Sequence, residues 1–329
     1  MGADHARLVA EDLPGARLQV VCDLDAARAR AVADRFGAAD VGTDPEAVIA
    51  RSDVDAVIVA SPDSTHAPLS LACIAARKPV LCEKPLSQDP AECLAVMEAE
   101  AHVGRRLVQL GFMRRYDQSY REMKAALDEG TLGRALLMHN VHRNVETPAG
   151  DFTGAMAITN SAPHEFDIAR WVLGCDFVAI SAFQPARSGP LVAPVVMVLE
   201  TTDGQVVTVE INNNAAYGYD VRGELVGERG AISLQAPVHS RLDAGLAQST
   251  RHAADWRPRY GEAYRRQDRD FLRFVETGTF PATAADAWDG ASATVVALAG
   301  VRALTQGGRV VVEALSRPAL YAPETRAAA

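Results

Sequence analysis

Five cysteines in 329 residues, an odd number with no CxxC spacing, leave no material for a disulfide framework or a structural zinc site. A reduced, cytoplasmic protein is the expectation. Cys22, Cys73, Cys82 and Cys93 lie in apolar surroundings and read as small core residues. Long apolar runs are also missing: none reaches membrane-spanning length, and nothing at the start reads as a signal peptide. Positive charge is in short supply. Against 42 Asp and Glu stand 33 Lys and Arg, and the net charge of −9 argues against nucleic acid or an anionic membrane as partner. Internal repeats and low-complexity segments are absent. The HEFD run at 164–167 lacks the second histidine of a zinc-binding HExxH helix, so no metal site is expected. A hydrophobic content of 48% and a mean hydropathy of −0.02 fit a globular chain. Its length exceeds one compact core and predicts two domains.

Residues 1–112 alternate strand and helix patterns. Short apolar runs at 18–22, 56–60, 80–82 and 107–110 read as strands. Helical patterns fill 26–36, which stops at Gly37, and 68–76. Thr43-Asp44-Pro45-Glu46 and Asp89-Pro90-Ala91-Glu92 each open a helix with a capping aspartate and a first-turn proline, and Glu92 is placed for a capping box. This rhythm predicts a parallel sheet covered by helices. From 113 to 329 the pattern changes. A helix at 119–129 is followed by strand patterns at 135–141, 177–183, 195–202, 205–211, 221–226 and 231–234, with Asp203-Gly204 as a hairpin signal. One helix near 162–173 interrupts them, and helices return at 260–276 and 285–305. The second domain is therefore expected to be α+β, with an open, mostly antiparallel sheet and helices on one face. The terminal helices have the option of packing back on the first domain.

The segment KPVLCEKPLS at 78–87 sets Glu83 and Lys84 after a buried strand and before Pro85, which biases Lys84 away from helix. That is the carboxyl end of a parallel strand, where open α/β sheets bind ligands. A surface Lys–Glu pair ahead of a turn proline is the plainer alternative. Ser61-Pro62-Asp63-Ser64-Thr65-His66 follows another strand, and His66 suits either a ligand or its own loop. In AITNSAPHEFDIARWVLG, at 157–174, His164 stands at a helix start four residues after Asn160. It is either a helix-end histidine or a catalytic one. Asp23 ends a strand 21 residues after Gly2, the spacing of the acidic residue that bonds a dinucleotide's ribose. The chain opens on MGADHARLVAEDLPG, a helix pattern, where that fold expects an apolar strand and a glycine-rich turn. A first strand is thus expected to be missing.

Together these blocks, with His142-Arg143-Asn144, Gly111–Asp117 and the loop from Asn214 to Asp220, resemble the Gfo/Idh/MocA family of nicotinamide-dependent sugar and cyclitol oxidoreductases over nearly the whole chain. The resemblance is strongest to the inositol-dehydrogenase branch. It implies an amino-terminal Rossmann-like domain at 1–112, a substrate-binding and oligomerising domain at 113–329, and a homotetramer. It implies NAD as cofactor, contacted by Gly2 (as the third fingerprint glycine), Asp23, Ser61, Pro62, His66, Glu83 and Arg114. Arg114 and Arg115 are equally readable as interdomain ion-pair residues. A small polyol such as myo-inositol would be oxidised to a ketone, with His164 as proton acceptor, Lys84 on the reacting oxygen and Asn160 orienting. His142, Asn144, Tyr217 and Tyr219 would face substrate, although the two tyrosines also suit a rim or a subunit contact. Where this branch usually has aspartate the chain has Asn160, which cannot stabilise an imidazolium with a full charge. Rival expectations on the same fold are an aldose dehydrogenase or sugar reductase, a redox-neutral NAD-using sugar enzyme, and a non-catalytic ligand sensor.

Overall fold

The computed structural model of the chain describes residues 1–145, 151–186, 191–235 and 240–322. Two compact units emerge. One comprises Met1–Phe112, Tyr264–Thr294 and Leu315–Ala329; the other comprises Met113–Ala263 and Val295–Ala314.

In the first unit the order is α1 (Gly2–Arg7), β1 (Val20–Cys22), α2 (Ala26–Phe36), β2 (Asp40–Gly42), α3 (Pro45–Ile49), β3 (Val57–Val59), α4 (His66–Ala75), β4 (Val80–Cys82), α5 (Pro90–Val103) and β5 (Val108–Leu110). All strand pairs are parallel: β1 with β2, and β3–β4–β5 as a three-stranded sheet. The polar β2 is a strand that hydrophobic pattern does not announce. Helix starts follow the capping chemistry. Asp44 accepts from the Glu46 and Ala47 backbone N–H groups, and Asp89 accepts from Ala91. Glu92 does not close a capping box. It accepts instead from the Ser87 hydroxyl at 2.5 Å, and that same hydroxyl accepts from the Asp89 N–H at 3.0 Å. Helix α2 ends on Gly37 at φ 71°, a left-handed conformation that glycine adopts without steric cost. Leu81 of the central strand β4 is fully buried against Phe271 and Phe274, with Ile58 and Phe280 beside them.

In the second unit, α6 (Gln118–Asp128), β6 (Ala135–Arg143), α7 (Gly154–Met156) and α8 (Pro163–Leu173) precede β7 (Phe177–Phe183), β8 (Val195–Thr201), β9 (Val206–Asn212), β10 (Asp220–Gly227) and β11 (Gly230–Ser233). An exposed hairpin, β12 (Leu242–Ala244) and β13 (Ala247–Ser249), follows; of the long helices α9 (Arg257–Thr277) and α10 (Ala287–Gln306), the segment Tyr264–Thr294 belongs to the first unit, and β14 (Arg309–Val311) returns to the second. Seven strands form one sheet in the order β11-β10-β6-β9-β8-β7-β14. Every neighbouring pair is antiparallel except β6–β9. Alternation along the strands buries Met138, Asn140 and His142 of β6 and Val207, Val209 and Ile211 of β9, while intervening residues stay half-exposed.

Candidate active site

The carboxyl ends of the parallel strands in the first unit carry the residues singled out there. Asp23 directly follows β1. Its Oδ1 accepts from the Asp25 N–H at 2.9 Å and from Arg28 Nη2 at 3.0 Å. Ser61 lies two residues past β3, and its hydroxyl is 2.5 Å from that of Thr65, which donates to the Pro62 carbonyl at 2.7 Å. His66 is buried and faces two carbonyl oxygens, Pro85 O at 2.7 Å and Ser61 O at 2.9 Å. It thereby ties the loop after β3 to the loop after β4. Glu83 and Lys84 directly follow β4, and the Lys84–Pro85 peptide is cis. Glu83 is buried, its carboxylate contacting His5 and the Lys84 backbone N–H. Gly2 opens α1 next to Ala60, at ordinary van der Waals distance for a side chain there.

The second unit gathers its own group. His164 is the second residue of α8 and is 8% exposed. Its ring centroid lies 6.4 Å from that of His142, which lies 6.2 Å from Tyr219; Tyr219 in turn is 6.4 Å from Tyr260. Burial pushes the Tyr219 and Tyr260 hydroxyls up, so both are neutral donors across the ordinary pH range. Glu165, fully buried, accepts from His142 Nδ1 at 3.2 Å and pairs with Arg114. Burial alone would raise the Glu165 carboxyl. The Arg114 charge and then His142 outweigh it and hold it below the usual carboxylate range.

Asn160 lies in a wide turn, Ala157–Ser161, closed by the Ala162 N–H on the Ala157 carbonyl at 3.1 Å. Its Oδ1 accepts from the Thr159 hydroxyl at 2.8 Å. Asn144 Nδ2 donates to Asn213 Oδ1 at 3.1 Å, and Asn213 Nδ2 donates to Ser161 Oγ at 3.1 Å. This chain of amides fixes the turn to the end of β6.

Two sequence expectations come apart here. Tyr217 and Tyr219 are not brought together. The Tyr217 hydroxyl accepts from Arg143 Nη1 at 2.9 Å and donates to Asp220 at 2.6 Å, with Arg143 also forked on Glu210. Arg143 and His142 are consecutive in a strand and point to opposite faces, so Tyr217 belongs to the face away from His164. Arg114 and Arg115 both spend their guanidiniums inside the second unit, on Glu165 and on Asp167 of the same helix. Residues that sequence spacing did not single out are His5, Glu165, Asp268 and Asn213. Each acts through a partner tens to hundreds of positions away, so no local pattern could have flagged it.

Comparison with known proteins follows the same division. Residues 1–112 match an oxidoreductase family with an NAD-binding Rossmann fold, and residues 120–233 match the GFO/IDH/MocA C-terminal domain. Inositol 2-dehydrogenase 2 of Saccharopolyspora erythraea is 46% identical over 98% of this chain and 96% of its own. Inositol 2-dehydrogenase of Streptomyces avermitilis is 41% identical over 98% and 94%. The crystal structure of myo-inositol dehydrogenase from Lactobacillus casei in complex with NAD(H) and myo-inositol aligns with a TM-score of 0.90 at 29% identity, covering 98% of this chain and 96% of that one. NAD fits the donor set of the first unit: the two hydrogen bonds to Asp23 fall on Oδ1, and a half-exposed carboxylate at the end of β1 suits a ribose diol. The chain belongs to the GFO/IDH/MocA family of NAD-binding oxidoreductases.

Proposed function

We propose that the chain is an NAD-dependent dehydrogenase that oxidises a secondary ring hydroxyl of a cyclitol, such as myo-inositol, to the ketone. The observation that carries the reading is the grouping of His164, His142 and Tyr219 in a chain 46% identical to an inositol 2-dehydrogenase across both units. A polyol needs several directed donors and acceptors held with little mobility, and buried histidine, tyrosine and asparagine supply them.

NAD, when bound, supplies the hydride acceptor. Asp23 holds the adenosine ribose hydroxyls, with Gly2, Ser61, Pro62 and His66 shaping the strand-end loops on that side. Glu83 contributes through the backbone it anchors. A carboxylate repels a 2′-phosphate, so Asp23 favours NAD over NADP, and Arg28 beside it moderates the preference. His164 accepts the hydroxyl proton as general base. Lys84 donates to the reacting oxygen and stabilises the negative charge that develops there. Asn160 orients the histidine or the substrate. His142, with Nδ1 held by Glu165, presents a fixed ring to substrate, and Asn144 and Tyr219 add polar contacts. Arg114 supports this group from beneath Glu165.

Homotetramer formation is part of the proposal. The sheet face opposite His142 leaves Val196 40% exposed and Val141, Val198 and Val206 half-buried, an apolar surface suited to a second copy. All five cysteines are free thiols, which accords with a reducing cytoplasm.

The test is NADH formation by the purified chain with myo-inositol, scyllo-inositol and aldoses side by side, repeated with NADP. The proposal expects reduction of NAD with inositols above that with aldoses, and slower reduction of NADP. Turnover of aldoses alone would assign an aldose dehydrogenase. Tightly bound cofactor without net NADH would assign a redox-neutral enzyme.

A further inference from the structure

Three buried side chains from distant parts of the sequence meet in the first unit. His5, on α1, donates from Nδ1 to Asp268 Oδ2 at 2.8 Å and from Nε2 to Glu83 Oε1 at 3.0 Å. Their exposures are 2% for His5, 4% for Glu83 and 1% for Asp268. An ionised carboxylate only accepts hydrogen bonds, so both ring nitrogens carry protons and the ring is a cation. Burial by itself opposes that charge. The two carboxylates outweigh it, and His5 is pushed up to about 10.

The remaining carboxylate oxygens are also engaged. Glu83 Oε2 accepts from the Lys84 backbone N–H at 3.3 Å, and Asp268 Oδ1 accepts from Gln267 Nε2 at 3.4 Å. The backbone leaves room for Glu83 and little else. A Cβ on Gly111 would lie 2.9 Å from Glu83 Oε2 and 3.1 Å from its Cα, closer than carbon atoms pack. A buried ion cluster of this kind is a poor source of net stability, because desolvation consumes most of the attraction. What it does supply is geometry: the peptide joining Glu83 to Lys84 is held from the side chain of one residue and the backbone of the next.

We propose that His5 and Asp268 are positioning residues for the reaction, acting through Glu83 on Lys84. This rests on the reading that Lys84 contacts the reacting oxygen. Neither His5 nor Asp268 touches substrate in this account. They hold the strand end from which the ammonium is aimed, and misplacement of such a group by about 1 Å can cost roughly 100-fold in rate.

The experiment uses the full chain as wild type, His5→Ala, Asp268→Asn, Lys84→Ala and the His5→Ala/Lys84→Ala double variant, with myo-inositol and NAD. Asp268→Asn keeps the shape and one acceptor, so it stands in if His5→Ala does not fold. Both single variants should lose about 10- to 100-fold in kcat with the KM for NAD unchanged. The double variant should turn over no more slowly than Lys84→Ala alone. Wild-type kcat in Lys84→Ala would reject the underlying reading of Lys84. Loss of kcat in Lys84→Ala with wild-type kcat in His5→Ala and Asp268→Asn, or additive losses in the double variant, would overturn the positioning role. A second readout needs no substrate. The chain has only three lysines, Lys78, Lys84 and Lys124, so competitive acetylation followed by peptide mapping reports Lys84 against Lys124 as an internal reference. The ratio should shift in Asp268→Asn, and an unchanged ratio would overturn the proposal.

Discussion

The two units each bury a three-member centre of acidic and basic side chains, and the two are inverted. In the first, a histidine cation sits between two carboxylates, Glu83 and Asp268. In the second, the carboxylate of Glu165 sits between Arg114 and His142. The difference decides what each histidine is able to do. His5 has a carboxylate at each ring nitrogen and is held as a cation, so it is a strut with no role in proton exchange near neutrality. His142 shares its carboxylate with an arginine that never deprotonates, and only its Nδ1 is fixed by Glu165. The first arrangement suits support of a cationic side chain nearby. The second suits a ring held in one orientation beside His164.

The largest effect expected from breaking this comparison is at Glu165. Its removal leaves the fully buried Arg114 without a counter-charge, and breaking a buried pair in this way costs about 3–5 kcal/mol. Urea denaturation of Glu165→Ala should show that loss, and a midpoint equal to wild type would mean that the pair carries no such weight.

A smaller and directional effect separates the centres by pH. His5 is raised from 6.5 to about 10, so its contribution to stability is fully present below pH 6.5 and is lost as pH rises towards 10. Glu83 and Glu165 are both depressed below 4.5, so their contributions are present above that pH and are lost on acidification. The first centre therefore weakens at both extremes, whereas the contribution of Glu165 in the second is lost in acid. Comparison of urea midpoints for wild type and His5→Gln from pH 6.5 upwards should show a steeper alkaline decline in wild type, and parallel curves would refute the assignment.

The smallest effect distinguishes the two tyrosines. Tyr219→Phe should lower kcat/KM for myo-inositol by roughly 10-fold, the scale of one hydroxyl hydrogen bond at about 1–1.5 kcal/mol. Tyr217→Phe, on the Arg143 face, should leave it within about twofold. Equal losses from both would mean that the faces are not distinct in function.

Much of this arrangement was legible in the sequence, for physical reasons that also explain what was not. Capping aspartates and first-turn prolines act within three residues, so Asp44-Pro45 and Asp89-Pro90 marked helix starts correctly. Buried strands such as Val80–Cys82 carried their own hydrophobic signal. The polar β2, by contrast, is made by pairing with β1, and the parallel β6–β9 pair joins strands separated by helices α7 and α8 and by two other strands. Neither pairing has a local cause. The same holds at the site. His164 and Lys84 stood out because each follows a recognisable boundary. Glu165 looked like an unremarkable helical residue until Arg114 and His142 closed on it, and His5 gave no hint of carboxylates 78 and 263 positions away. Glu83 reads in the sequence as a ligand-facing residue because it shares a strand end with Lys84, yet its side chain turns inward to His5. Alternation along β6, read strictly, would have parted Tyr217 from Tyr219 only once the partner Arg143 was known.

The central claim is that the substrate hydroxyl proton leaves through His164. It is tested most directly by the rate of NADH formation in a single turnover, with saturating NAD and myo-inositol, in wild type and His164→Ala. The account predicts a rate about 100-fold lower or worse in the variant, the scale of a positioned general base, with NAD binding retained. A variant that forms NADH at the wild-type rate would contradict it.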